Sequence, residues 1–382
     1  MYNFFKLNIF TLLLLSSMSL HATLPDNCIQ YIKKHGTQPI TLAALKKKIR
    51  NNEDVSNVNT CLIKDMSFLF MNKRNFNQDI NDWDVSNVTN MKFMFNNAWN
   101  FNQYIGDWDV SKVTNMQSMF DNAWKFNQYI GDWDVSHVTN MSHMFNRAFD
   151  YNYYIGDWDV SKVKTMQNML SGAYDFNQYL GDWKVSNVTD MSYMFTGAHS
   201  FNQYIGEWDV SKVTNMRLMF INAHTFNQYI GDWDVSNVTN MDSMFAATYA
   251  FNQYIGDWDV SKVKSMFLMF ANAKAFNQYI GDWDVSNVTV MRSMFESTKK
   301  FNQYIGGWNV SKVKDMSNMF SKTEAFNEYI GEWDVSNVTN MSRMFNKAKK
   351  FNEYLCDWDV SNVLYNTGMF EGSAYTYDCG WN

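Results

Sequence analysis

Three side-chain patterns in this sequence have the types and spacing to do chemistry, and none is a catalytic constellation. An acidic pair flanks a tryptophan repeatedly, as in Asp107 and Asp109 around Trp108, or Asp232 and Asp234 around Trp233. Columns of such carboxylates can hold Ca²⁺. The competing reading is a turn, in which the second Asp accepts from a nearby backbone N–H. Lys184, Gly307 and Asn309 interrupt the pairs in single copies, which favours the turn. The second pattern is a tyrosine at equal intervals: Tyr104, Tyr129, Tyr154, Tyr179, Tyr204, Tyr229 and Tyr254, continuing to Tyr354. Exposed, it is a rigid amphipathic platform for a protein or a glycan; half-buried, it only stabilises the chain. The third is a variable column reading Trp99, Trp124, Phe149, Tyr174, His199, His224 and Tyr249, then Lys274, Lys299, Glu324 and Lys349. An apolar strip of that size is unusual on a soluble monomer, so it is the leading candidate interaction surface, against drift after duplication. His199 and His224, neighbours in it, could share a metal, but no metal site and no cofactor is expected.

Enzyme signatures are missing. The sequence has no GxSxG, HExxH, GxxxxGK[ST] or dinucleotide fingerprint, and of its 6 His none lies beside a Cys. The expectation is a non-enzyme. A net charge of −6 without a basic run disfavours nucleic acid and anionic membranes as partners. With 46% hydrophobic and 17% aromatic residues, the chain is not disordered.

What positions these columns is a repeat. In register and without insertion, a unit of 25 residues begins at Phe76, Phe101, Phe126, Tyr151, Phe176, Phe201, Phe226, Phe251, Phe276, Phe301, Phe326 and Phe351. Residues 226–250, FNQYIGDWDVSNVTNMDSMFAATYA, are representative. A fixed period of that length, held without slippage, marks a solenoid whose units bury their apolar sides only against their neighbours. Within the unit, apolar residues are spaced by two, three and four. That predicts a coil with short extended segments and one tight helical turn at MFxxA. The invariant Asn at position 2 (Asn77 to Asn352) and Ser at position 11 (Ser86 to Ser361) should form ladders that satisfy turn backbone. Position 12 alternates over much of the chain, as in Lys162, Asn187, Lys212, Asn237 and Lys262, a 50-residue super-period expected from duplication of two-unit blocks.

The ends depart from the pattern, as terminal units of a stack must. Residues 41–50 predict a short amphipathic helix with Thr41 as N-cap and Leu42, Leu45 and Ile49 on one stripe. A degenerate first unit follows, through Met66 and Phe70, and at the far end Leu364, Tyr365 and Asn366 break the consensus. All 4 Cys lie in these segments. Four cysteines allow three connectivities; local pairing, Cys28–Cys61 and Cys356–Cys379, is expected, with a metal site disfavoured by the lack of CxxC.

The first 22 residues read as a secretory signal: Lys6, an apolar stretch from Ile9 to Leu15, and cleavage after Ala22, with an uncleaved anchor as the alternative. No later stretch approaches a membrane span. The expected organisation is a signal peptide at 1–22, an N-terminal cap at 23–75, twelve units at 76–375 and a closing tail at 376–382.

The pattern WDVSNVTNMxxMFxxAxxFNQ closely resembles the tandem repeat of bacterial surface proteins grouped as BspA-like leucine-rich-repeat proteins, also filed as a domain of unknown function. The resemblance covers residues 54–375. It implies a leucine-rich-repeat-like parallel β-solenoid, a secreted or cell-surface setting, and adhesion or host-interaction roles seen in some relatives. It offers no catalytic residues to carry over. The wall-sorting or lipid anchor of many relatives is not seen here. The expected function is a secreted or surface-exposed binding and adhesion module, monomeric, for a host or neighbouring-cell protein or glycan. The rival is a structural surface or spacer protein without a dedicated ligand.

Overall fold

The structure is a computed structural model that describes residues 24–380; the expected leader and its cleavage point lie outside them. Two short helices open the described chain. α1, Asp26–His35, carries Asp26 in its first turn and Lys33, Lys34 and His35 in its last, complementing the helix dipole. It ends at Gly36 in the left-handed region (φ 70°), the C-terminal position that glycine fills without a Cβ penalty. The sequence reading did not include α1. α2, Leu42–Arg50, starts where the Thr41 hydroxyl accepts from the Ala44 N–H at 3.2 Å, and Leu45 and Ile49 are buried on the first coil. Cys28 is bonded to Cys61, tying α1 to that coil, and Cys356 is bonded to Cys379 at the other end.

From there the chain winds as one stack of coils. Single-residue parallel bridges at position 15 link neighbouring units in two runs, from Asp65 through Asn90 and Asn115 to Asn240, and from Ser265 to Tyr365. Along the following segment every second N–H reaches the next unit: Met91 to Asn115, Phe93 to Gln117, Phe95 to Met119 and Asn97 to Asp121, all at 2.8–3.0 Å. The intervening N–H groups turn back on their own unit, Met94 to Met91, Asn96 to Phe93 and Ala98 to Phe95.

Two expectations need correction here. The described repeat units contain no strand longer than one bridged residue, and MFxxA is not a helical turn. Positions 18 and 22 hold positive φ in unit after unit, as at Phe93 (57°), Asn97 (57°), His143 (57°) and Arg147 (54°). An α-helix needs negative φ throughout, and a strand needs extended backbone, so a left-handed residue every fourth position excludes both. Such residues cost roughly 1–2 kcal/mol each, and the inter-unit hydrogen bonds they aim offset that cost. Asn and Gly, which tolerate this region best, occupy position 22 at Asn72, Asn97, Asn122, Gly172, Gly197, Asn222 and Asn272.

The core is a set of parallel files. Phe95 lies face to face with Phe101 of the next unit at 4.0 Å and over Phe120 at 5.5 Å, and the pattern continues to Phe345, Phe351 and Phe370. The tryptophans stand in one file, as at Trp208, Trp233 and Trp258, 6.4 Å apart and 2° from parallel. Each buried indole N–H donates to a carbonyl of the preceding unit, Trp108 to Ile80 (3.2 Å) and Trp233 to Ile205 (3.1 Å), so the core leaves no tryptophan donor orphaned. The Asn file works likewise: the Asn127 N–H donates to the Asn102 side chain and the Asn152 N–H to that of Asn127.

Candidate functional site: an aromatic stack and its neighbouring columns

Position 24 follows the turn that ends the inter-unit segment, so its side chain leaves the core while remaining one rung from its copies. Seven rings run there without a break. Trp99 stacks on Trp124 at 4.2 Å, Trp124 on Phe149 at 5.7 Å, Phe149 on Tyr174 at 4.7 Å and Tyr174 on His199 at 4.6 Å. His199 continues to His224 at 4.6 Å and His224 to Tyr249 at 4.4 Å. Both ends are closed by cations from the same column. The Arg74 guanidinium lies 4.1 Å over Trp99, and the Lys274 ammonium 3.7 Å over Tyr249. Beyond Lys274 the column changes to ion pairs, Glu324 meeting Lys299 at 3.5 Å and Lys349 at 3.2 Å.

The strip is less open than a row of exposed rings would be. Tyr174 is exposed, while Trp99, Trp124, Phe149, His199, His224 and Tyr249 are half-buried, because each ring covers a face of the next. What reaches solvent is the edges. The indole N–H groups of Trp99 and Trp124 are buried without an acceptor in the protein, unlike those of the core file. His199 and His224 gain no further ligand: no cluster of three or more His, Cys, Asp or Glu side chains able to hold a metal occurs among the described residues.

The tyrosine column is organised differently. Tyr104, Tyr179, Tyr229 and Tyr254 are exposed by about two-fifths of their surface (37–42%), and Tyr129, Tyr154 and Tyr204 are half-buried. Each ring folds over the glycine two residues on; a Cβ on Gly131 would meet the Tyr129 ring at 2.7 Å and the Tyr154 carbonyl at 2.8 Å. The hydroxyls of Tyr104, Tyr129, Tyr154, Tyr229 and Tyr254 donate to the acid at position 7 of the same unit, at 2.8–3.1 Å. That bond to a carboxylate raises the phenol pKa of each. Tyr204 donates to Glu207. In these units, and in that of Tyr279 with Asp282, the first acid of the pair is thus a partner for tyrosine.

The second acid makes the turn. The carboxylates of Asp109, Asp209 and Asp234 accept from the N–H of Ser111, Ser211 and Ser236 at 3.0–3.1 Å. The Ser211 hydroxyl, then its amide, hold Asp209 below the usual carboxylate range. Asn309 performs the same task for Ser311, which is why the pattern tolerates it.

Position 12 has an order that duplication alone does not explain. Lys112 donates to the side-chain oxygen of Asn87, Lys212 to Asn187, Lys262 to Asn237 and Lys312 to Asn287, at 2.7–2.9 Å. Each of Asn187, Asn237 and Asn287 donates in turn to the carbonyl of Ser161, Ser211 or Ser261 in the unit before. The alternation is a chain of bonds.

Four overlapping stretches, 41–150, 128–227, 202–305 and 278–379, match the family described as "Mycoplasma protein of unknown function, DUF285". The chain belongs to that family. The matches tile the repeat region in tandem, so family membership carries the repeat architecture but no activity. No curated protein matches the chain. Among solved structures, it is similar to the plant peptide hormone receptor RGFR1 in complex with RGF2, at 8% identity, covering 84% of this chain and 73% of that one, with a TM-score of 0.17, too low to indicate a shared fold.

The sequence reading carried the column on to Lys274 but did not extend it back to Arg74, and it gave neither cation a place over a ring, nor did it find the lysine–asparagine bonds. Both were within reach of the 25-residue period: Arg74 stands 25 residues before Trp99 and Lys274 25 after Tyr249. No helix among the described residues is long and apolar enough to cross a membrane.

Proposed function

We propose that this protein is a secreted or surface-exposed binding and adhesion module, as the resemblance to BspA-like leucine-rich-repeat surface proteins implies, and that the Trp99–Tyr249 stack is its contact surface for an extracellular protein. The observation that carries the reading is the uninterrupted run of seven stacked rings, closed by Arg74 and Lys274, at a position where the later units carry Lys, Glu or, in the last, Ala374. Rings whose faces are taken by their neighbours offer edges, a firm apolar strip with little side-chain entropy left to lose on binding. Such a strip suits a protein surface. Sugar stacking needs a free ring face, which only the ends of the run could offer, and those are covered by cations.

A spacer without a ligand is the second reading, favoured by the same mutual covering of faces, since stacking alone stabilises a coil. Probing an array of extracellular proteins and glycans with the intact chain and with a Trp124→Ala/Tyr174→Ala variant separates the two. Selective capture of a protein, abolished in a variant that still melts cooperatively, supports the contact surface. No capture by either chain, with a lower melting temperature in the variant, supports the spacer.

A further inference from the structure

We propose that the lysine file at position 12 binds an extended anionic polysaccharide carrying one carboxylate or sulfate per disaccharide. The inference keeps the reading of the chain as a binding module but uses a different column from the aromatic stack. Lys112, Lys162, Lys212, Lys262 and Lys312 recur at every second unit. With neighbouring rungs about 4.8 Å apart, their spacing along the coil is roughly 10 Å, close to the length of a disaccharide in an extended chain. Position 14 doubles three of these points, with Lys164, Lys264 and Lys314.

The ammonium groups are held in place without being neutralised. Lys112, Lys212, Lys262 and Lys312 each donate one N–H to an asparagine oxygen, and all four of those asparagines are themselves anchored to backbone carbonyls. An ammonium has three donors, so two remain on each lysine. Structural lysines are ordinarily answered by Asp or Glu. Here the partner is an amide, which fixes the position of the charge and leaves its sign intact. The nearest carboxylates, Asp209, Asp259 and Asp284, feel Lys212, Lys262 and Lys312, but each is engaged by the serine of its own turn. Lys162 differs: His137 replaces the asparagine one unit earlier, and beside Lys162 a concavity opens, lined by Thr139, Lys162, Lys164, Asn187 and Thr189. The hydroxyls of Thr139 and Thr189 already donate to the carbonyls of Thr114 and Lys164, so it is the two ammonium groups around one hollow that suit a carboxylate or sulfate.

Nucleic acid fits the same charges less well. Along the axis of a duplex its phosphates recur every 3.4 Å or so on each strand, which leaves about two in three without a lysine from a file spaced roughly three times farther apart.

The test measures binding of fluorescent hyaluronan oligosaccharides of increasing length, which carry one carboxylate per disaccharide, to the intact chain, with neutral dextran and a duplex DNA oligomer of equal charge alongside. Affinity should rise with each added disaccharide, fall with salt, and drop by roughly tenfold or more in a Lys112→Gln/Lys212→Gln/Lys262→Gln/Lys312→Gln variant. Lys299→Gln/Lys349→Gln, which removes two lysines already paired with Glu324, should leave it unchanged. Deleting residues 276–300 sets Lys262 and Lys312 in adjacent rungs and should weaken binding although all four lysines stay. Lys212→Gln/Lys262→Gln serves should the quadruple variant not fold. Undiminished binding by a folded lysine variant, equal binding of DNA, or no oligosaccharide binding at all would overturn the proposal. Because Trp124→Ala/Tyr174→Ala leaves this file intact, it should bind oligosaccharide normally, so the aromatic surface and the lysine file fail separately.

Discussion

The imidazole of His199 lies face to face with that of His224, ring centroids 4.6 Å apart and planes 7° from parallel. Burial first, then the charges of His199 and Lys274, hold the His224 pKa below the ordinary histidine value. The folded chain therefore takes up protons at lower pH than the unfolded chain, and stability rises with pH through that window. The contribution is complete above the unfolded value and is lost as pH falls through the lower folded one.

His224→Phe keeps a ring in the stack and removes the titration. Its melting temperature should gain on the wild type as pH falls from about 7.5 to about 5. His143, also lowered by burial, stays in both proteins, so the difference between them isolates His224. A gap that does not move with pH would show that the histidine pair does not couple to folding.

Tyr151 is the one tyrosine in a file otherwise made of phenylalanine at position 1. It is fully buried between Phe126 and Phe176, stacked on Phe145 at 4.2 Å, and its hydroxyl has no partner. Tyr151→Phe should stabilise the protein by about 1–3 kcal/mol, the usual cost of an unmet buried polar group. Chemical denaturation measures it directly, and a loss of stability would mean that the hydroxyl is satisfied in solution.

Two glycines should respond oppositely. A Cβ on Gly281 would lie 2.6 Å from the backbone carbonyl oxygen of Tyr304, whereas Gly307 has nothing within 4 Å. Gly281→Ala is expected to cost roughly 1–3 kcal/mol through overpacking. Gly307→Asp restores the acid that other units set against their tyrosine, as Asp282 does for Tyr279 at 3.0 Å, and should cause no loss. Equal melting temperatures for the two variants would remove the tyrosine-over-glycine packing as the reason for the conserved spacing within the units.

How far the sequence reached can be judged residue by residue. The period alone placed Trp83 to Trp358 in one file, put Asn at position 2 in a backbone-satisfying ladder and made Asp at position 9 a turn former, because identical units with no insertion have only one economical way to stack. It also located the aromatic column, since an outward position is free to vary while an inward one is not. Three matters lay beyond it. The backbone between Met91 and Ala98 is a run of turns with left-handed residues at Phe93 and Asn97; side-chain spacing does not distinguish such a run from a helical turn, and only the alternation of bonds to the next unit with bonds to its own does. The exposure of the Trp99–Tyr249 rings depends on their covering one another, a relation between residues 25 apart that no single unit contains. The lysines of position 12 look like solvated charges in a linear reading. Their fixed spacing arises because each asparagine bonds backward to one unit while receiving a lysine from the next, so the repeat determines which residues meet and the coil determines what they hold in place.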